Sequence, residues 1–203
     1  MGRKREHDAD TGQALLDAAE QLVGEGGLKA LSVRAVAQRA GVSTRAVYSV
    51  FGSKQGLEQA LLGRTFRLLG ADVQALPLTD DANGDLVAAV SEGFRGFVLT
   101  HPDLFRLVFT PAQGVTFGPE AREESRQAWE KLLTRIERAG VAGDGGRDAW
   151  HIAYGLNAIS TGLAILELCG MVPPDRAPAF WEDTVGAYVR GLARPVGRAA
   201  AEP

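Results

Sequence analysis

The feature that most constrains this chain is a spacing: Ala37, then Gly41 four residues on, then Val47 six residues after that. A small residue at 37 lets two short helices cross closely. Glycine at 41 supplies the left-handed backbone that a tight inter-helix turn needs at little cost. Val47 plugs the space between the helices, and Val36, Val42 and Val50 complete a small core. Ser32 and Ser43 stand where N-caps are expected, one before each helix. The stretch 33–52 therefore reads as a helix-turn-helix, whose second helix can enter a DNA major groove while the first crosses the phosphate backbone.

The outward residues fit that use. The second helix, from Thr44 to about Val50, presents Thr44, Arg45, Tyr48 and Ser49. Arg45 can read guanine through two parallel hydrogen bonds or grip a phosphate. Thr44 can meet a thymine methyl, a base edge or a phosphate, and the Tyr48 hydroxyl can bond a phosphate. Lys54 and Arg34 lie near helix starts, where the dipole and the cation together favour phosphate. The candidate DNA contacts are Arg34, Ser43, Thr44, Arg45, Tyr48, Ser49 and Lys54. Charge agrees in distribution, not in sum. The net charge is −3, but residues 1–70 carry 10 Lys/Arg and 7 Asp/Glu, and residues 71–203 carry 12 and 18. A basic head is joined to an acidic body.

The rest of the chain is helical in period. Ala14, Leu15, Ala18, Ala19, Leu22 and Val23 mark a first helix, stopped by Gly24 and Gly26-Gly27. Ser53 starts a fourth that runs to about Leu76. Further helices are expected over 85–100, 103–109, 120–139, 148–169 and 175–194, with loops at 111–119 and 140–146 and a frayed tail after Pro195. The stretch 148–169 holds only two ionised residues, Asp148 and Glu167, so most of its sides must be covered. Cys169 has no internal partner and is expected as a buried, inert thiol. The fold class is all-α, with about nine helices. A three-helix helix-turn-helix DNA-binding domain (1–56) precedes a helical-bundle effector-binding and dimerisation domain (57–203).

Residues 12–62 resemble the DNA-binding domain of the TetR (tetracycline repressor) family. The resemblance rests on Ala-Ala-Glu at 18–20, Gly-Leu-Lys-Ala-Leu-Ser-Val at 27–33, Val-Ala-Gln-Arg-Ala-Gly-Val-Ser at 36–43 and Val-Tyr-Ser-Val-Phe-Gly-Ser-Lys at 47–54. Tyr48, Phe51 and Lys54 are its most distinctive spacing. It implies that Tyr48 and Lys54 touch phosphates and that Phe51 packs the domain, joining Ala37, Gly41 and Val47 in its core. It further implies a homodimer on a palindromic operator, each subunit with a ligand-binding body, and favours a repressor. His101-Pro-Asp-Leu-Phe-Arg-Leu-Val-Phe is similar to a segment of one subgroup, in which a Trp precedes a His-Gly pair. Here Trp150 precedes Tyr154-Gly155, so a role for that histidine does not carry over.

The resemblance also implies that the last two helices pair with their symmetry mates. Small residues suit this: Ala153, Ala158 and Gly162 keep the penultimate helix thin, and Phe180, Tyr188 and Leu192 can anchor the last. For the effector pocket the candidate walls are Phe94, Phe97, Phe105, Phe109, Trp129 and Trp150, with Phe117 beside them. Few charges are expected to face inward, so an apolar or aromatic effector is expected. Binding would favour a conformation whose heads are wrongly spaced for DNA.

Other functions find little purchase. His7, His101 and His151 show no metal-ligand spacing, and neither Gly-x-Ser-x-Gly nor a phosphate loop occurs. No catalytic residue, metal or cofactor is expected. A helical interaction module without DNA binding would not need a basic outward helix. The charged first residues lack an apolar core and no long apolar run follows, so neither a secretory signal nor a membrane helix is expected. The expected location is the cytoplasm.

Overall fold

The computed structural model describes residues 2–109, 116–142 and 148–192, with side chains from residue 10 onward. The helices are α1 (Gly2–Gly26), α2 (Val33–Arg39), α3 (Thr44–Phe51), α4 (Lys54–Ala75), α5 (Ala82–Ala88), α6 (Arg95–Thr100), α7 (Pro102–Phe109), α8 (Pro119–Arg138), α9 (Ala149–Leu168) and α10 (Ala177–Leu192). A π-helical turn, Ala89–Phe94, joins α5 to α6 without a break. Counted as one interrupted rod, 82–100 makes nine helices among the described residues, and no strand occurs there. The tail after Pro195 lies outside the described residues, as do parts of both expected loops.

Two compact units form: Met1–Leu68 with His101–Arg126, and Leu69–Thr100 with Gln127–Pro203. This is a division by packing, distinct from the boundary by role drawn at 56/57. In the first unit α1 packs on α2, α3 and α7 around Leu15, Ala19, Leu31, Val36, Leu57 and Leu61, all sealed from solvent. Gly24 does not stop α1, contrary to expectation. A Cβ there would collide with the Asp103 carboxylate, so this glycine lets α7 approach. The helix ends where Gly27 turns to φ 65°. Behind it, Arg64 of α4 reaches Asp17 at 2.5 Å and Glu20 at 3.5 Å. Glu20 also meets His101 Nδ1 at 2.7 Å.

The second unit is tied by buried arginine. Arg135 of α8, 4% exposed, donates to the carbonyls of Val73 and Leu76 at 2.9 and 2.8 Å. Val73 lies in the last turn of α4 and Leu76 directly follows it, where carbonyls have no helical partner. The same guanidinium reaches the Asp85 carbonyl at 3.1 Å. The widened turn brings Gly93 against α4: a Cβ there would lie 3.2 Å from Val73 Cα. On the far side Glu167 of α9 accepts from Arg95 at 2.7 Å and from Trp181 Nε1 at 2.8 Å. Cys169 is exposed, not buried, because α9 ends at that residue, which forms its C-cap.

Asp85 carries a consequence for acid stability. Its carboxylate accepts from Arg138 Nη1 at 2.8 Å, from the Thr79 N–H at 2.7 Å and from the Thr79 hydroxyl at 2.8 Å. The Arg138 bond first, then the Thr79 N–H, lower its pKa from 3.8 to about 2. A carboxyl depressed on folding stabilises the fold fully above its unfolded pKa and loses that contribution as the pH falls. The loss should run from 3.8 down through about 2. In Asp85→Asn the acid side of a stability–pH curve, followed by circular dichroism, should be flatter over that interval; an unchanged slope would contradict this account.

Candidate nucleic-acid interface

The turn between α2 and α3 is made by local bonds. Ser32 Oγ accepts from the Ala35 N–H at 3.1 Å and Ser43 Oγ from the Ala46 N–H at 3.3 Å. Each such cap is worth about 1 kcal/mol. Gly41 sits at φ 68°, and the Val42 N–H closes back on the Ala37 carbonyl at 2.9 Å. That is the Schellman closure, which only a left-handed residue at 41 permits at low cost. Ala37 and Val47 are almost wholly buried, 2% and 1% exposed. Burying Val47 alone contributes about 1.5–3 kcal/mol. Phe51 is half-buried. Val50, assigned to the core from sequence, is 37% exposed; it lies in the last turn of α3, beside Gly12 of α1.

The outward face of α3 is therefore well defined. Thr44, Arg45, Tyr48 and Ser49 are all exposed, Tyr48 at 53%. They sit as two pairs four residues apart, which places them on one side of the helix. Arg34, in the first turn of α2, is exposed too. Ser43 is exposed, but its side-chain oxygen is engaged in capping α3. Lys54 opens α4 and shares its charge with Glu58, 3.3 Å away. Ahead of it, Ser53 caps the helix through the Gly56 N–H at 2.9 Å, and Gly52 turns the chain at φ 71°.

One element was not legible from spacing. Arg39, last residue of α2, makes a two-pronged pair with Glu25 of α1 at 2.9 and 2.8 Å. It also reaches Gln21 at 3.3 Å. These bonds lower the Glu25 pKa and raise that of Arg39. Of two neighbouring arginines in the α2 sequence, Arg39 is engaged within the protein and Arg34 has no partner among the described residues. A pair 14 residues apart on separate helices leaves no local pattern.

The residues expected around an effector fall in both units. Phe105 (1% exposed) stacks on Phe109 at 5.4 Å in the first unit, where Phe117 meets Phe66 at 5.7 Å. In the second unit Phe97 is sealed from solvent and Phe94 packs on Trp181 at 6.3 Å. Trp129 and Trp150 form a triad with Tyr154, ring centroids 5.6–5.7 Å apart, and Trp150 is 41% exposed. Of the residues expected at a dimer contact, Ala158, Gly162 and Phe180 are exposed. Ala153 and Leu192 are buried within the unit. The half-buried Tyr188 sets its hydroxyl against Gly155.

Comparison with known proteins agrees with this geometry. Residues 15–61 match the family described as bacterial regulatory proteins, tetR family, and residues 87–188 match the tetracyclin repressor-like C-terminal domain. The HTH-type transcriptional regulator BetI of Rhizobium meliloti (strain 1021) is 31% identical over 88% of this chain and 89% of its own length. The HTH-type transcriptional activator FasR of Mycolicibacterium smegmatis is 33% identical, covering 94% of this chain and 86% of its own. A solved protein of unknown function from Rhodococcus sp. RHA1 superposes with a TM-score of 0.75 at 26% identity, over 91% of this chain and 96% of that one. The relatives are regulators rather than enzymes, and both halves of the family architecture are present. The chain is a member of the TetR family of helix-turn-helix transcriptional regulators.

Proposed function

We propose that the protein is a cytoplasmic homodimeric repressor. It binds a palindromic operator through α3 and leaves it when an apolar or aromatic effector binds the C-terminal body. The single observation that supports this best is the uncharged outer face of α9. Tyr154, Ala158, Gly162 and Ile165 are exposed there along one line of the helix. An apolar helix with an open uncharged side calls for a cover, and a second copy of the same face supplies one with twofold symmetry. Two symmetric heads suit two half-sites one helical turn apart. Repression needs only that the dimer occupy DNA, and activation would need a further surface for the transcription machinery. The name of the activator relative makes activation the second reading, which transcription from the bound promoter distinguishes. Phe94 and Phe97, buried in the second unit, support an apolar or aromatic effector. Its action would be a shift between two conformations with different DNA affinity.

Two measurements test this. Ile165→Glu on the exposed face of α9 should convert a dimer to a folded monomer in size-exclusion chromatography with light scattering, since it buries charge at a contact. A dimer that survives it would place the interface elsewhere. In a mobility-shift assay with DNA from its own promoter, complex formation should fall steeply as salt rises and be relieved by cell extract containing the effector. No specific shift at low salt, with or without extract, would overturn the DNA-binding assignments.

A further inference from the structure

Glu20 of α1 divides its two carboxylate oxygens between two other helices. Oε1 meets His101 Nδ1 at 2.7 Å, and Oε2 lies 3.5 Å from Arg64 Nη2 of α4. His101 directly follows α6 and opens α7, where its carbonyl accepts from the Phe105 N–H at 3.0 Å. Glu20, Arg64 and His101 all belong to the first unit. Their side chains are 14–20% exposed, so solvent screens them less than it screens surface pairs.

A carboxylate shared in this way is a fixed bridge when both donors are otherwise satisfied, and Arg64 is not. It reaches Asp17 through the same Nη2 that faces Glu20. Its Nε and Nη1 are buried and have no hydrogen-bond partner among the described residues. Asp17, more than half exposed, leaves them unpaired as well. A buried donor without an acceptor costs free energy that pairing would recover. Guanidinium and carboxylate pair best through two parallel N–H···O bonds. Either fork of Arg64 that includes Nη2, with Nη1 or with Nε, has an unused N–H. Glu20 already holds one oxygen beside Nη2, and the second oxygen that a fork needs is the one bound to His101. The two seats therefore exclude each other.

We propose that Glu20 is a two-position latch. In the first position it bonds His101 and holds α7 against α1. In the second it turns both oxygens to Arg64, ties α1 to α4 and releases α7. The unpaired donors of Arg64 favour release and the His101 bond opposes it, so a small displacement of His101 decides the position. The chain runs from α6 into α7 at this residue, so a shift of α6 acts on the latch through the backbone. A contact with two discrete arrangements converts such a shift into a change at α1, on which α2 and α3 pack. The consequence for DNA rests on the reading of the protein as a regulator with two conformations, and the latch itself does not.

Hydrogen exchange of the α7 amides in the full chain, followed by mass spectrometry, reads the latch. His101→Phe removes the bond that holds α7 and should speed their exchange by about tenfold. Arg64→Lys keeps the charge but cannot form the planar fork, so it should slow exchange by about threefold. Loss of a merely structural arginine would speed it. In a Glu20→Gln background, which has no carboxylate to move, Arg64→Lys should slow nothing. On operator DNA, His101→Phe and Arg64→Lys should shift affinity in opposite directions. Faster exchange in both single variants, or slowing by Arg64→Lys that survives Glu20→Gln, would overturn the latch. Exchange as expected with operator affinity unmoved would overturn its link to DNA. A wild-type protein that binds no operator would count against the DNA-binding reading, and the exchange measurement would still decide the latch.

Discussion

Arg45→Ala should weaken binding to the specific operator by about 1–3 kcal/mol, roughly fivefold to 150-fold, and relax preference at the base pair it reads. Arg45 is exposed at the start of α3 and has no partner among the described residues. It gives up no protein contact to reach DNA, and its loss should leave folding intact. Fluorescence anisotropy on the operator and on single-mismatch variants reads the effect. Lys54→Ala offers the contrast. As a phosphate contact it should weaken all sequences about equally and lower the salt slope by about one. Its gain on binding is reduced because it shares its charge with Glu58. If Arg45→Ala instead weakened operator and unrelated DNA by the same factor, Arg45 would be a phosphate contact and base reading would pass to Thr44 or Ser49.

The largest effect on stability should come from Arg135→Ala. The guanidinium is 4% exposed and bonds the Val73, Leu76 and Asp85 carbonyls. The first two are orphan acceptors at the end of α4, so the side chain caps a helix from 62 and 59 residues away. Removing it leaves buried carbonyls unpaired, at a cost of roughly 3–5 kcal/mol. In a chain of this length that lowers Tm by on the order of 10 °C, as calorimetry would show. Arg135→Lys keeps the charge but not the planar fork, and should recover less than half of the loss. A fall of only about 2 °C for the alanine variant would mean that water takes over the bonds at little cost.

The same contrast separates what was legible in the residues from what was not. Ser32, Ser43 and Ser53 as caps and Gly41 and Gly27 as turns could be read directly, because each acts on a backbone group no more than five residues away. The face of α3 was equally readable, since Ala37 and Val47 pin one side inward and leave Arg45 and Tyr48 on the other. Gly24 looked like a stop and is instead a gap for Asp103, 79 positions along the chain. Period alone could not show that the rod 82–100 widens at Ala89–Phe94, because that turn presses Gly93 onto α4.

By itself the sequence determined an all-α chain with a helix-turn-helix near its start and an outward face of Thr44, Arg45, Tyr48 and Ser49. Those features rest on helical period, caps and left-handed glycines, which depend on neighbours in the chain. Tertiary structure alone decided which side of α9 is buried, placing Ala153 inward and Tyr154, Ala158 and Gly162 outward. It also decided that Arg39 is held by Glu25 and that Arg135 caps α4. A helix with apolar residues all round carries no internal record of which side meets a neighbour. Pairings between residues tens of positions apart are set by packing, where burial and the need to satisfy buried polar groups choose the partner.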